Sequence, residues 1–319
     1  MTDKKKTRRL RDPRDIKDMI GESGFPFQKE VERLFLENNS IFYPHQTEVP
    51  LNVPPEYTSS KFVPPSLDLV LCQTSLGMSP KWSIEMLLEC KKAFAKEWYF
   101  FTKQSGSYYG SNRIPISAIV KFPVGNGYEF KIKSIYCDTN LFGVSKKPTV
   151  CDNMLEFQLK NGDHRDSERK VAYEACGTLS IALFHFLKVG LDSNYILLNK
   201  GMNPDDVSMV FPLLVTTAKL NIIDSAKLEV DLDSGRSNKG SIDFQEVEWV
   251  FFEFPILPSI RKFIEPESSF YDFGKDLVTK MGCVIVNASN LLSCLSHFDP
   301  EVIMKIVQDF LTPTSSEFL

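Results

Sequence analysis

The sequence predicts a mixed α/β fold in which helices flank a central mixed sheet. Three observations carry that expectation. An amphipathic helical pattern near the start leads into alternating strand-like segments, and a long helical pattern follows at 166–189. After it, Val210-Phe211-Pro212-Leu213-Leu214-Val215-Thr216 forms a continuous apolar run of the kind found in strands buried on both faces. A chain of 319 residues is long enough to bury a full core, as one large domain or two smaller ones.

The elements follow in order. Residues 1–20 form a basic arm in which Lys4, Lys5, Lys6, Arg8, Arg9, Arg11, Arg14 and Lys17 crowd together, and a helix can start after Asp12-Pro13. Such an arm can track phosphates by sequence-independent attraction, or it can be a solvated tail. The stretch from Gly24 to Leu36 reads as an amphipathic helix begun near Pro26, with Phe27, Val31, Leu34 and Phe35 as its apolar stripe. Glu30 stands three residues after Phe27 and four before Leu34, which places it on the buried side, whereas Glu32 and Glu37 project outward. A carboxylate there is costly unless it meets a cation or a donor. Glu30 is therefore either a further acid at a metal site or the partner of a nearby lysine or arginine.

Strands are expected at 41–51, 66–74 and 82–90, the last two joined by a turn at Gly77-Met78-Ser79-Pro80. The cluster Trp98-Tyr99-Phe100-Phe101 can stack bases of a single strand or pack under the sheet. Residues 105–162, richer in Gly, Ser, Tyr and Pro, read as an insertion carrying strands at 114–122 and 128–136. The helix at 166–189 repeats Ala172, Ala175, Cys176, Leu179, Ala182, Leu183, Phe186 and Leu187 at helical spacing. Beyond 217 come strands at 228–231 and 247–254, a helix at 271–280, a short strand at 283–286 and a last helix at 300–311. The organisation expected is an arm at 1–20, a core at 21–217 interrupted by 105–162, and a C-terminal extension or small lobe of the same domain at 218–319.

Composition excludes little beyond the extremes. The net charge of −4 argues against a generic DNA-coating protein. No apolar run approaches the roughly 20 residues that cross a bilayer. The basic leader is followed by more charge rather than by the apolar core of a secretory signal. The seven cysteines, Cys72, Cys90, Cys137, Cys151, Cys176, Cys283 and Cys294, include no close Cys-x-x-Cys pair. They point to reduced thiols in the cytoplasm and to no zinc ribbon. His45, His164, His185 and His297 are too scattered for a metal cluster, and His185 reads as a satisfied helix-surface residue. No nucleophile elbow, Walker loop or dinucleotide fingerprint occurs.

The chemistry concentrates in Asp68 and in Glu89-Cys90-Lys91. Side chains alternate along a strand, so Glu89 and Lys91 share a face. A turn centred near Met78 and Ser79 sets Asp68 opposite Glu89, and directly opposed residues share a face as well. Two carboxylates suit a hard cation such as Mg²⁺, which neutralises charge on a phosphate, and an adjacent lysine can hold the attacking water or stabilise the developing oxyanion. An acid two residues before a lysine recurs at Asp3/Lys5, Asp15/Lys17, Glu129/Lys131 and Glu168/Lys170, and only Glu129 and Lys131 lie in another strand pattern. That pair has no upstream acid, because none occurs between Glu97 and Glu129. The bland alternative for Glu89 and Lys91 is an ion pair on a solvated sheet face.

The succession of a helix with Glu30, a strand at 41–51, a strand with Asp68 and a strand ending in Glu89-Cys90-Lys91 resembles the PD-(D/E)xK nuclease superfamily. Its specific parts here are Gly-Phe-Pro-Phe-Gln-Lys-Glu and Leu-Glu-Cys-Lys, whereas Ser66-Leu67 replaces the motif's proline. The resemblance implies a restriction-endonuclease-like core. It also implies Mg²⁺ or Mn²⁺ held by Asp68, Glu89 and the Cys90 carbonyl, with Lys91 serving the water and Glu30 as the helix acid. DNA would be the substrate, in restriction of foreign DNA or in repair, and double-strand cutting would suit a homodimer. The competing expectation is an inactive module of the same fold that binds nucleic acid or assembles with partners. No membrane association is expected.

Overall fold

In the computed structural model, period-two burial builds a 13-stranded mixed sheet, and helical stripes cover both of its faces. The structure describes residues 23–38, 40–51, 66–75, 79–93, 96–103, 112–142, 150–160, 163–166, 170–231, 234, 236–238, 240, 242–256 and 280–312. The basic arm, the tip of the turn before Pro80 and residues 271–279 of the helix expected at 271–280 lie outside these residues; the last residue of that span, Lys280, is in a strand instead.

Helix α1 (Phe25–Glu37) leads into strands β1 (Tyr43–Pro50), β2 (Ser66–Thr74), β3 (Trp82–Lys91) and β4 (Lys96–Thr102). Next come β5 (Arg113–Val124), β6 (Gly127–Asp138), β7 (Val150–Lys160) and β8 (Asp163–Asp166), and then helix α2 (Lys170–Asn199). Strands β9 (Val207–Thr216), β10 (Lys219–Ile223), β11 (Val230–Asp231), β12 (Arg236–Ser237), β13 (Phe244–Val247), β14 (Trp249–Pro255) and β15 (Lys280–Asn287) follow. Helices α3 (Leu291–Leu295) and α4 (Pro300–Leu311) end the order.

The main path of the sheet is β1-β2-β3-β9-β15-β14-β7-β4-β10-β13, with β5 on β9, β6 on β5 and β8 on β7. The segment read as an insertion therefore supplies strands to the sheet, and β7 lies inside it between β14 and β4. The chain beyond 217 adds β10, β13, β14 and β15 to the same sheet. Trp98 and Phe100 are buried in its core, which is the packing reading of the aromatic cluster.

Strand β9 is where the sheet divides. One edge pairs in parallel with β3 along its whole length, from Trp82↔Val207 to Lys91↔Thr216. The other edge takes β5 at residues 207–210 and β15 at residues 213–216. Pro212 falls in the gap between those two partners, where its missing N–H is not needed. Gly282 of β15 serves the same junction: an added Cβ would come within 2.3 Å of Ile114 Cγ1 and 3.1 Å of the Pro115 carbonyl oxygen.

One sheet face packs on α2 through Ala172, Ala175, Leu179, Leu183 and Leu187, which meet Leu87, Leu214 and Ile285. The other face meets α1 through Val31 and Phe35 and α4 through Ile303, Ile306 and Phe310. The N-terminus of α2 is tied down by buried Glu156 of β7, whose carboxylate accepts from the Ala172 N–H at 2.7 Å. By length and composition alone, α2 is the one described helix long and apolar enough to cross a membrane. The helix expected at 166–189 spans 30 residues, and one of its faces is spent on the sheet.

A charge triad with a buried Glu253–Lys103 pair and a half-exposed Lys280 lies at the end of β14. The Glu253 carboxylate, almost fully enclosed, accepts from Lys103 Nζ and Lys280 Nζ, each at 2.8 Å. Glu253→Ala leaves Lys103 buried without its partner and should destabilise by about 3–5 kcal/mol in urea titration. Gly282→Ala should cost about 1–3 kcal/mol by overpacking the junction; a wild-type urea midpoint for this variant would show that β5 yields there.

Candidate functional site

The site forms where β2 begins and β3 ends. The β2–β3 register runs from Thr74↔Ser83 to Leu69↔Leu88, so one further step sets Asp68 across from Glu89, as the turn position predicts. At that step the backbone ladder gives way to a side chain: Asp68 Oδ2 accepts from the Cys90 N–H at 2.6 Å. Val70 and Leu87, on the same face by alternation, pack in the α2 core. Strand β9 supports the far side, with Glu89 beside Leu214 and Lys91 beside Thr216.

Glu89 is 3% exposed, and its Oε1 meets Lys91 Nζ at 2.5 Å. Its other oxygen, Oε2, is buried without a hydrogen-bond partner. Burial drives the Glu89 carboxyl up to about 7; the charge of Lys91 opposes the rise and that of Asp68 adds to it. Burial likewise lifts Asp68, against the Cys90 N–H and Lys91, with a further push from the charge of Glu48. Burial pulls Lys91 down, but the charges of Glu89 and Asp68 outweigh it and hold the ammonium above its ordinary range. The ion pair left open by the sequence is real, yet it sits on a mostly buried face rather than a solvated one. Its rival, Glu129 with Lys131 at 3.7 Å, has both side chains more than two-fifths exposed and matches the bland reading.

Glu30 is the correction. Helix α1 turns it to solvent, where its carboxylate takes Arg33 through Nε at 3.0 Å and Nη2 at 2.5 Å. The residue that reaches the site from α1 is Gln28, 7% exposed, whose Nε2 donates to the Asp68 main-chain oxygen at 3.0 Å. The buried line of α1 is Gln28, Val31 and Phe35, while Phe27 and Leu34 are only half-buried. The spacing of Gln28 with Val31 and Phe35 was the available signal; hydrophobicity alone shifts the stripe onto Phe27 and Leu34 and carries Glu30 inward with it.

Asp68, Glu89 and the Cys90 carbonyl are the donors available for a hard cation. Among the described residues no group of three or more His, Cys, Asp or Glu side chains is arranged to hold a metal. A cation held here would therefore rest on two carboxylates and keep much of its water, as Mg²⁺ does. The donorless Glu89 Oε2 suits that role, since a buried carboxylate oxygen without a proton donor is costly unless something positive meets it.

Taken together, these features define a mixed α/β protein with a mostly buried acid–lysine constellation on the second and third strands of its sheet. No protein-family model matches the chain. No curated protein and no solved structure shows a significant match to it either.

Glu85 lies on the same face of β3, across from Cys72. Burial, aided by the charge of Asp205, raises its carboxyl to about 7 from an ordinary 4.5. Between those pH values the folded protein keeps a proton that the unfolded chain has released, so stability falls as pH rises through this window. The loss from Glu85 is on the order of 2–3 kcal/mol. Glu85→Gln should flatten that part of the slope in urea midpoints taken from about pH 4 to 8, whereas an unchanged slope would mean that Glu85 ionises normally.

Proposed function

We propose that this chain is a metal-dependent nuclease that hydrolyses phosphodiester bonds of DNA on a restriction-endonuclease-like core. The observation that carries the reading is the facing pair Asp68 and Glu89, with Glu89 Oε2 buried and donorless beside Lys91. The order α1, β1, β2, β3, α2, β9 supports it, because β2 and β3 of an antiparallel trio carry the acids and β9 lies parallel to β3 behind them. Asp68, Glu89 and the Cys90 carbonyl would hold Mg²⁺ or Mn²⁺. When bound, that ion would neutralise phosphate charge and make its water more acidic.

The chain's own groups supply the remainder. Lys91, one-third exposed at the mouth of the site, presents an ammonium to the attacking water and to the charge that develops on the phosphate. Gln28 and the Cys90 N–H fix the main-chain oxygen and the carboxylate of Asp68, so the acid meets a substrate already oriented. The cytoplasm is proposed as the compartment, which suits seven cysteines that are all free and buried. A homodimer would let two such sites cut opposite strands.

The inactive-module reading draws on the same neighbourhood, since only two acidic side chains have been placed at the site. The two are separated by incubating purified protein with plasmid and single-stranded DNA in Mg²⁺ or Mn²⁺, with and without EDTA. Cleavage should depend on the metal, and Lys91→Ala should lower its rate by about 10²–10³. Glu89→Ala should abolish it while circular dichroism stays native. Wild-type protein that is folded, binds Mn²⁺ and cuts neither DNA would overturn the nuclease reading in favour of the inactive module.

A further inference from the structure

We infer that the face of β4, β10 and β13 turned away from α2 binds the bases of single-stranded nucleic acid, with Tyr99 as the stacking platform and Asn221 as the group that reads the base edge. This goes beyond the reading of Glu89 and Lys91, which stand on the α2 face with Leu87. The aromatic run at 98–101 divides by alternation. Trp98 and Phe100 enter the core under α2, while Tyr99 and Phe101 take the other face, where both are only half-buried. None of the described residues of β4, β10 or β13 joins the core that α1 and α4 cover.

An aromatic sheet face alone need not bind anything. The independent sign of a ligand is Asn221 of β10, wholly buried, with neither its Oδ1 nor its Nδ2 given a hydrogen-bond partner. A carboxamide buried in that state is costly, and folding alone would favour an apolar residue of its size. Register sets it between Tyr99 of β4 and Glu246 of β13, on their face. Phe244 rests edge-on against the Tyr99 ring at 5.2 Å, and Lys219 meets Glu246 at 2.9 Å. These neighbours are weakly held: Phe244 is 52% exposed on the outermost described strand of this end, and an exposed ion pair contributes little. A base that takes the place of the Phe244 edge on Tyr99 brings its own edge to Asn221. The carboxamide offers a donor and an acceptor side by side, the pattern that adenine matches best.

The nearby charge suits a phosphate backbone. Both carboxylates beside the ring are engaged, Glu97 by the Tyr99 hydroxyl at 2.5 Å and Glu246 by Lys219. Glu253, on the same face by alternation with Phe252 and Phe254, is shared by Lys103 and Lys280. Two lysines on one carboxylate leave a positive charge in excess at the Phe101 end of the platform, since Lys103 directly follows β4.

The test uses the whole chain in EDTA, which stops metal-dependent cleavage, and follows a labelled single strand of about 12 deoxyadenosines by fluorescence anisotropy. Tyr99→Leu should weaken binding about tenfold or more. Asn221→Leu should weaken it about fivefold or more and yet raise the thermal midpoint, so that the loss cannot come from unfolding. The same strand annealed to its complement should bind more weakly than it does alone. Wild-type affinity in both variants, or equal binding of single strand and duplex, would overturn the inference, as would a wild type that binds no single strand; metal-dependent cleavage can stand in each case. Binding in EDTA that the two variants weaken, by a protein that never cuts, would instead sink the nuclease reading and keep this one.

Discussion

One hydrogen bond sets the geometry of the site: the Cys90 N–H donates to Asp68 Oδ2 rather than to a neighbouring backbone carbonyl. Strand pairing would otherwise continue past Leu69↔Leu88, and the acid would be left to rotate at the end of β2. Because a backbone donor holds one of its oxygens, Asp68 stays fixed across from Glu89 without a charged partner of its own. Gln28 completes the clamp by donating to the main-chain oxygen of the same residue, so helix α1 and strands β2 and β3 meet at a single amino acid. Burial resists ionisation of both acids and lifts both carboxyls above their ordinary range, and the charge of Asp68 adds to the rise at Glu89.

The sheet makes such a costly arrangement tolerable. Strand β3 is bonded on both edges, to β2 and along its entire length to β9, and α2 presses on the face that carries Leu87 and Glu89. Close packing of that kind leaves the strand no cheap way to rotate its acids into solvent. The enclosed Glu253, with Lys103 and Lys280, shows the same economy elsewhere in the sheet, but there both carboxylate oxygens are met by lysine. The contrast with Glu89, whose second oxygen has no donor, separates a charge cluster that closes on itself from one that leaves a valence open.

Local pattern carried much of this into the sequence. Alternation through Trp82 to Lys91, and a turn placed near Met78, were enough to set Asp68 against Glu89, because strand geometry has a period of two and leaves no intermediate choice. Helix geometry is less forgiving: at 100° per residue, Phe27 and Leu34 can be mistaken for the centre of the buried stripe when they are its edge. That small rotation exchanged Gln28 for Glu30. Strand β7 was not read because its acidic and amide residues break the alternation, and Glu156 among them is buried for a distant purpose, capping α2. The division of the sheet at Pro212 depends on two partners far apart in the chain, one before and one after β9, which no local window contains.

The divided edge of β9 has a mechanical consequence. With β5 gripping one half of that strand and β15 the other, the floor under Glu89 and Lys91 is braced by segments far apart in the chain. The opposite side is built differently: among the described strands β1 is the outermost and pairs only with β2, and it carries a register irregularity between Pro44 and Gln46. Compliance in this molecule is therefore one-sided. Whatever bulk the acids must accommodate, β3 holds its ground and room is made by the outer strand and the helix that precedes it.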